Sequence, residues 1–262
     1  MGILNVTPDS FSNGGLYFKK EDAIKRAIKL YEEGADIIDI GGESARPGSD
    51  PVDEKEEINR VIPVIKEIKK EIDIPISLDT YKSSVAERGL DLGVEMINDI
   101  SGLRFDKNMA KLISKYNASV VIMHIKGRPK DMQINPVYRD LISEIKEYLR
   151  VGIDIALSSG IKENKIVIDP GIGFGKTIKH NPIILNRLYE FKDLRKPILI
   201  GTSRKSFIGY ILKKDVSERF YGTAATVCIS ILKGANIVRV HDVFKIKDFV
   251  KMTDAIRLER EM

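Results

Sequence analysis

The sequence predicts a closed (β/α)8 TIM barrel, α/β in class, built as a single domain over residues 1–262. Three observations carry that expectation. Eight short runs of Ile, Val and Leu alternate with segments whose apolar residues recur at helical spacing, the pattern of parallel βαβ units. The chain has 262 residues, and a barrel of eight such units needs about 250. No linker, low-complexity tract or internal repeat divides it.

The strand runs are residues 3–6, 37–40, 76–79, 96–100, 120–125, 166–169, 198–201 and 237–240. The first begins so early that nothing in this sequence precedes it to plug the barrel's bottom: either the protein does without such a segment or its N-terminus is trimmed. Residues 21–33 read as an amphipathic helix that stops at Gly34, a residue suited to the left-handed turn of a helix end. Residues 53–72 place Ile58, Val61, Ile62, Ile65 and Ile68 at helical spacing, and Pro63 predicts a kink. Further helices are expected at 82–92, 107–116, 138–158, 182–191, 205–212, 218–233 and 243–261. For the helix at 182–191, Asn181 supplies an N-cap and Pro182 the first helical position.

Composition removes several functions. The net charge is +5, but Lys and Glu interleave along the helices. There is no basic-aromatic stripe, so no nucleic-acid partner is expected. A mild positive balance suits an anionic small substrate. The longest uncharged stretch, 220–232, falls short of the roughly 18 residues a membrane span needs. The one cysteine, Cys228, lies in an apolar run and reads as a buried core thiol. It cannot form an internal disulfide, which fits a cytoplasmic protein. The stretch "DPGIGFGKT" ends like a phosphate-binding loop, yet position 170 is Pro where that motif needs Gly. Pro has no N–H to offer a phosphate.

Residues at the carboxyl ends of barrel strands converge on one face, where such folds do their chemistry. Those ends carry Asn5, Asp39, Asp79, Asn98 and Asp99, His124, Asp169, Lys205, and the pair Arg239 and His241. A lone Asp after a strand is often a helix cap, and a lone His is often a satisfied core residue. Polar groups at every strand end are harder to assign to structure, because burying them unpaired costs several kcal/mol each, about 2–7. Asp79, Asn98 and Asp169 can accept hydrogen bonds from a flat, amine-bearing ring. Lys205, Arg239, His241 and Arg46 are cationic or potentially so and suit a polyanion such as pyrophosphate. Asn5 offers an oxygen that Mg²⁺ could share with phosphates. No dedicated metal cage is visible: the three His lack ligand spacing. Two loops, residues 7–15 and 43–48, have the Gly, Pro and Ser content of mobile lids.

With these residues in place, "GILNVTPDSFSNGG", "DIIDIGGESARPG", "PISLDTYK", "INDISG", "MHIKG", "IDPGIGFGKT", "GTSRKSFIG" and "IVRVHDV" resemble the motifs of the dihydropteroate synthase family, in the family's order and over nearly the whole chain. The resemblance implies a (β/α)8 enzyme, usually a homodimer. It joins 6-hydroxymethyl-7,8-dihydropterin pyrophosphate to p-aminobenzoate in folate biosynthesis, by an SN1-like displacement. It implies that Asp79, Asn98, Asp169 and Lys205 hold the pterin. Asn5, Arg46, Arg239 and His241 are implied to hold pyrophosphate and its Mg²⁺. Pro47, Phe174 and Ser206 are implied to lie around p-aminobenzoate.

The chain departs from many family members at two positions. Asn13 stands where they have Asp, a carboxylate that faces the pterin cation, so shape is kept and charge is lost. Ala45 stands where they have Thr, which removes a hydroxyl near the arylamine. These changes predict slower turnover or an altered acceptor. Two other readings are weaker. A pterin-dependent methyltransferase has no need of the Arg46, Lys205, Arg239 and His241 cluster. A non-catalytic pterin-binding protein is supported only by the two loop changes.

Overall fold

The computed structural model describes residues 1–7 and 20–259. Among the described residues are eight strands: β1 (Gly2–Asn5), β2 (Ile38–Gly41), β3 (Ile76–Asp79), β4 (Met96–Asp99), β5 (Ser119–Met123), β6 (Ile166–Asp169), β7 (Leu199–Ile200) and β8 (Ile237–Val238). The first six form one parallel sheet in chain order, and β7 pairs with β8. A bridge from Ile168 to Ile198 joins the two parts, and one from Gly2 to Val240 returns to β1. The Ile3 amide donates to the Val240 carbonyl at 2.9 Å, so the barrel is closed. Its amino-terminal end is filled by Met1, Val121, Val167 and Leu199, with Ile37, Met96 and Ile237 against them.

Helices α1 (Lys20–Glu32), α2 (Glu54–Glu71), α3 (Ser83–Asp91), α4 (Met109–Lys115), α5 (Leu141–Ser158), α6 (His180–Asn186), α7 (Ser206–Leu212), α8 (Phe220–Leu232) and α9 (Val243–Leu258) surround it. The main core lies between barrel and helices and includes Leu30, Ile65, Ile68, Ile113, Leu149 and Phe191. Each such side chain removed from water contributes about 1.5–3 kcal/mol. Helix α2 starts on Asp53, whose side chain accepts from the Lys55 amide at 2.9 Å, and runs unbroken through Pro63. Gly34 closes α1 with φ of 87°. Three expectations need correction. The helix at 182–191 is two pieces, α6 and a 3-10 turn over Leu188–Leu194. Asn181 lies inside α6 and does not cap it. Its side chain accepts from the Gly173 amide at 2.8 Å and donates to the Thr177 carbonyl at 2.9 Å, tying α6 to the loop after β6. Cys228 is half-buried, on the shoulder of α8. Among the described residues no helix is long and apolar enough to cross a membrane.

Candidate active site

Strand alternation sends Asp39, Asp79, Asn98 and Arg239 toward the barrel axis, and their side chains meet there. The Arg239 Nε donates to Asp39 Oδ2 at 2.5 Å, and its second nitrogen reaches Asp79 Oδ2 at 2.8 Å. Asn98 Nδ2 donates to Asp39 Oδ2 at 3.2 Å. The partners are 160 and 200 residues apart in the chain, so closure of the barrel makes the cluster. Asp39 is fully buried, and its Oδ1 has no partner among the described residues.

Beside this cluster, Asp169 ends β6 and accepts from the Gly171 amide at 2.7 Å. Gly171 has φ of 71°, and a Cβ there would lie 1.9 Å from the His124 carbonyl oxygen. Glycine is therefore required where the chain turns out of the barrel. The loop carries Phe174 back over the mouth, and Lys205 Nζ sits 4.3 Å from its ring centroid. Below the loop, Lys176 is buried. Its Nζ donates to the Phe174 carbonyl at 3.0 Å and lies 2.7 Å from His124 Nδ1. Lys176 thus supports the loop from inside and offers nothing to a phosphate. Asp99, in the same strand as Asn98, accepts from the Ser101 and Leu103 amides and pins the loop after β4.

The expected anion ligands are less uniform. Arg46 and Pro47 are exposed on the loop after β2, and Ser206 is exposed at the start of α7. The Arg46 guanidinium makes no ion pair with a described residue, whereas Arg239 makes two. His241 accepts a hydrogen bond from, or donates one to, Ser203 through Nδ1 at 2.9 Å. The His241 amide already donates to the same Ser203 oxygen. Together the two contacts fix the imidazole's orientation beside Ser203. Arg204, with φ of 59°, clamps Asp242 through two bonds and locks the turn before Lys205 to the turn after β8. Ala45 packs in a small cluster with Ile100, Met123, Tyr81, Phe105 and Phe174. Asn5 ends β1 at the same mouth. Asn13, and most of the loop at 7–15, lie outside the described residues.

Burial sets the protonation of the site. It pushes Asp79 up to about 7, with Arg239 pulling back and Asp39 pushing further. It pushes Asp169 up to about 6, opposed by the Gly171 amide and Lys205. Lys205 is brought down to about 8 by burial and then by Arg239. His241 falls to about 3 through burial, then Arg204 and Arg239. His241, expected to be cationic or potentially so, therefore carries a neutral imidazole at pH 7.

Among the described residues, no three or more His, Cys, Asp or Glu gather to hold a metal ion. The donor set at Asn5 fits only a Mg²⁺ shared with a phosphate-bearing substrate, the usual way Mg²⁺ is held beside phosphates.

A family model described as pterin binding enzyme matches residues 1–241. A dihydropteroate synthase of Clostridium beijerinckii is 49% identical over 257 residues, spanning 98% of this chain and 93% of the relative. A crystal structure of the Clostridium difficile dihydropteroate synthase in the presence of pteroic acid aligns with TM-score 0.92 at 53% identity, over 97% and 95% of the two chains. The Xanthomonas albilineans dihydropteroate synthase with 4-aminobenzoic acid aligns with TM-score 0.92 at 38% identity, over 98% and 92%. Fold and relatives together define a (β/α)8-barrel enzyme with buried acids and cations at its mouth. The chain belongs to the dihydropteroate synthase family of pterin-binding enzymes, which are transferases.

Proposed function

We propose that the strand-borne acids hold a pterin, and that Arg46, Lys205, Arg239 and His241 act on its pyrophosphate. The reaction condenses 6-hydroxymethyl-7,8-dihydropterin pyrophosphate with p-aminobenzoate, giving 7,8-dihydropteroate and pyrophosphate. Asp79, Asn98 and Asp169 accept from the ring's N–H groups, and Lys205 closes over the ring beside Phe174. The carbon–oxygen bond at the pterin methylene breaks first, and its electron pair leaves with pyrophosphate. Arg46 and the neutral His241 imidazole, as a hydrogen-bond donor, stabilise that charge; Mg²⁺ at Asn5 would neutralise more of it when bound. The acids stand beside the developing cation. The amine nitrogen of p-aminobenzoate then attacks the methylene and sheds a proton. Phe174, Ala45 and Pro47 form its wall, and Ser206 stands at the end where the carboxylate lies. Asn13, standing where many family members have Asp, would leave the cation without that charge.

The observation that carries this reading is Arg239 held between Asp39 and Asp79, with Asp169 and Lys205 beside it. The test is p-aminobenzoate-dependent release of pyrophosphate, with and without Mg²⁺. Release is expected and is faster with Mg²⁺; no release under any condition would sink the reading. Exposed Tyr210, Tyr221, Phe244 and Met252 on α7, α8 and α9 support a homodimer through that face. The single cysteine supports a cytoplasmic setting, and one domain spans the chain.

A further inference from the structure

The loop that carries Arg46 and Pro47 has the composition of a mobile lid, yet both its ends are tied. At its start, Glu43 accepts from the Tyr81 hydroxyl at 2.8 Å, the Val52 amide at 2.9 Å and Lys82 Nζ at 2.5 Å. Lys82 also reaches Glu57 Oε2 on α2 at 2.5 Å and the Val52 carbonyl at 2.8 Å. Helix α2 comes this close because residue 42 is glycine. A Cβ there would lie 2.7 Å from Val61 and 3.0 Å from Glu57 side-chain carbons. Arg60 holds the Gly42 carbonyl at 2.9 Å. At the loop's end, the Gly48 amide donates to the Pro129 carbonyl at 2.9 Å. The contacts close a ring around the rim. Tyr81 packs edge-on against Phe105 at 5.4 Å, and Arg128, next to Pro129, stacks on Phe105 at 4.2 Å.

Stability alone is a poor reason for this triad. Glu57 and Lys82 are buried, and Glu57 Oε1 has no partner among the described residues. Burial raises the Glu57 carboxyl's pKa, so its charge is held at a cost. A well-packed apolar trio is often as stable as a buried ion pair or more so, whereas charged groups fix geometry. We propose that Lys82 and Glu43 are positioning residues, which hold the Arg46–Pro47 tip at a set height over the barrel mouth. They touch no substrate and act through the loop. The proposal rests on the reading of Arg46 and Pro47 as substrate-facing.

The test compares full-length wild type, Lys82→Met, Lys82→Arg and Tyr81→Phe by steady-state kinetics and by amide hydrogen exchange at residues 44–49. For Lys82→Met, KM for p-aminobenzoate rises about tenfold, kcat changes less than about threefold, and exchange quickens about tenfold or more. Lys82→Arg brings both readouts back to within about threefold of wild type. A folded Lys82→Met with wild-type KM or wild-type exchange overturns the proposal, as does a loss confined to kcat. If Lys82→Met does not fold, Tyr81→Phe decides. It removes one hydroxyl, and a KM raised about two- to fourfold with faster exchange supports the strut. An unchanged KM and unchanged exchange overturn it. Failure of wild type to release pyrophosphate would defeat the functional reading, while exchange would still report on the anchor.

Discussion

The strand-borne cluster of the mouth and its exposed loop residues are built differently. Asp39, Asp79, Asn98 and Asp169 sit within strands, and three of them are less than a tenth exposed. They are already bonded, to Arg239, to one another or to a backbone amide. Arg46 and Ser206 are exposed, on a loop and at the first residue of a short helix. On the proposed reading, the ring end is therefore organised before substrate arrives. The leaving-group end would draw in part on these exposed loop residues. Pre-organisation lowers the cost of binding at the first end, while the second can open for entry and release.

The largest expected effect breaks the first end. Arg239→Met leaves Asp39 and Asp79 buried without their partner. Loss of one member of a buried pair costs about 3–5 kcal/mol, and the partly exposed guanidinium places this near the lower figure. Urea unfolding should show that loss, together with a fall in kcat/KM of about a thousandfold. Wild-type stability in this variant would mean that the cluster is not pre-formed. Asp169→Asn comes next. Because burial already raises this carboxyl, the amide should leave Tm unchanged or slightly higher. Its kcat/KM should still drop about a hundredfold, or about 2.7 kcal/mol at the transition state.

Arg46→Ala sharpens the contrast from the other side. No ion pair with a described residue is lost, so Tm should not move, while KM for the pterin pyrophosphate rises about tenfold. A drop in Tm comparable to that of Arg239→Met would erase the distinction between the two ends. The pH dependence is the gentlest probe. Asp79 and Asp169 titrate at about 7 and about 6 in the fold, against about 3.9 for a free Asp. Between those values the folded chain keeps protons that the unfolded chain releases. The contribution of these acids to stability is therefore full below about pH 4 and is lost as pH rises to about 7. Activity runs the other way, because ring donors need ionised acceptors. The kcat/KM for the pterin substrate should fall about tenfold from pH 8 to pH 5.5. Asp79→Asn should flatten the upper part of that limb; a profile unaltered by the variant would remove Asp79 from the pocket.

Much of this was legible in the sequence, for physical reasons. Eight β-branched runs at regular spacing leave few topologies, and all eight strands lie within a residue or two of the expected runs. The strand-end residues Asp79, Asn98, Asp169 and Arg239 could be read because strand period and barrel closure together fix where they point. What the sequence hid is pairing across the chain. Nothing local ties Arg239 to Asp39, or His124 to Lys176. The same applies to Lys82, which reaches Glu57 and Glu43 from 25 and 39 residues away. The neutrality of His241 was hidden too, since it follows from burial beside Arg204 and Arg239. The expected cap at Asn181 failed because its amide was taken by the loop after β6.

On the proposed reading, the strand-borne end binds the pterin ring by itself. Calorimetric titration of a hydroxymethylpterin without phosphates tests it most directly, on wild type, Asp169→Asn and Arg46→Ala. Arg46→Ala should bind within about twofold of wild type, and Asp169→Asn should lose about thirtyfold. Equal losses in both variants, or a larger loss for Arg46→Ala, would contradict it.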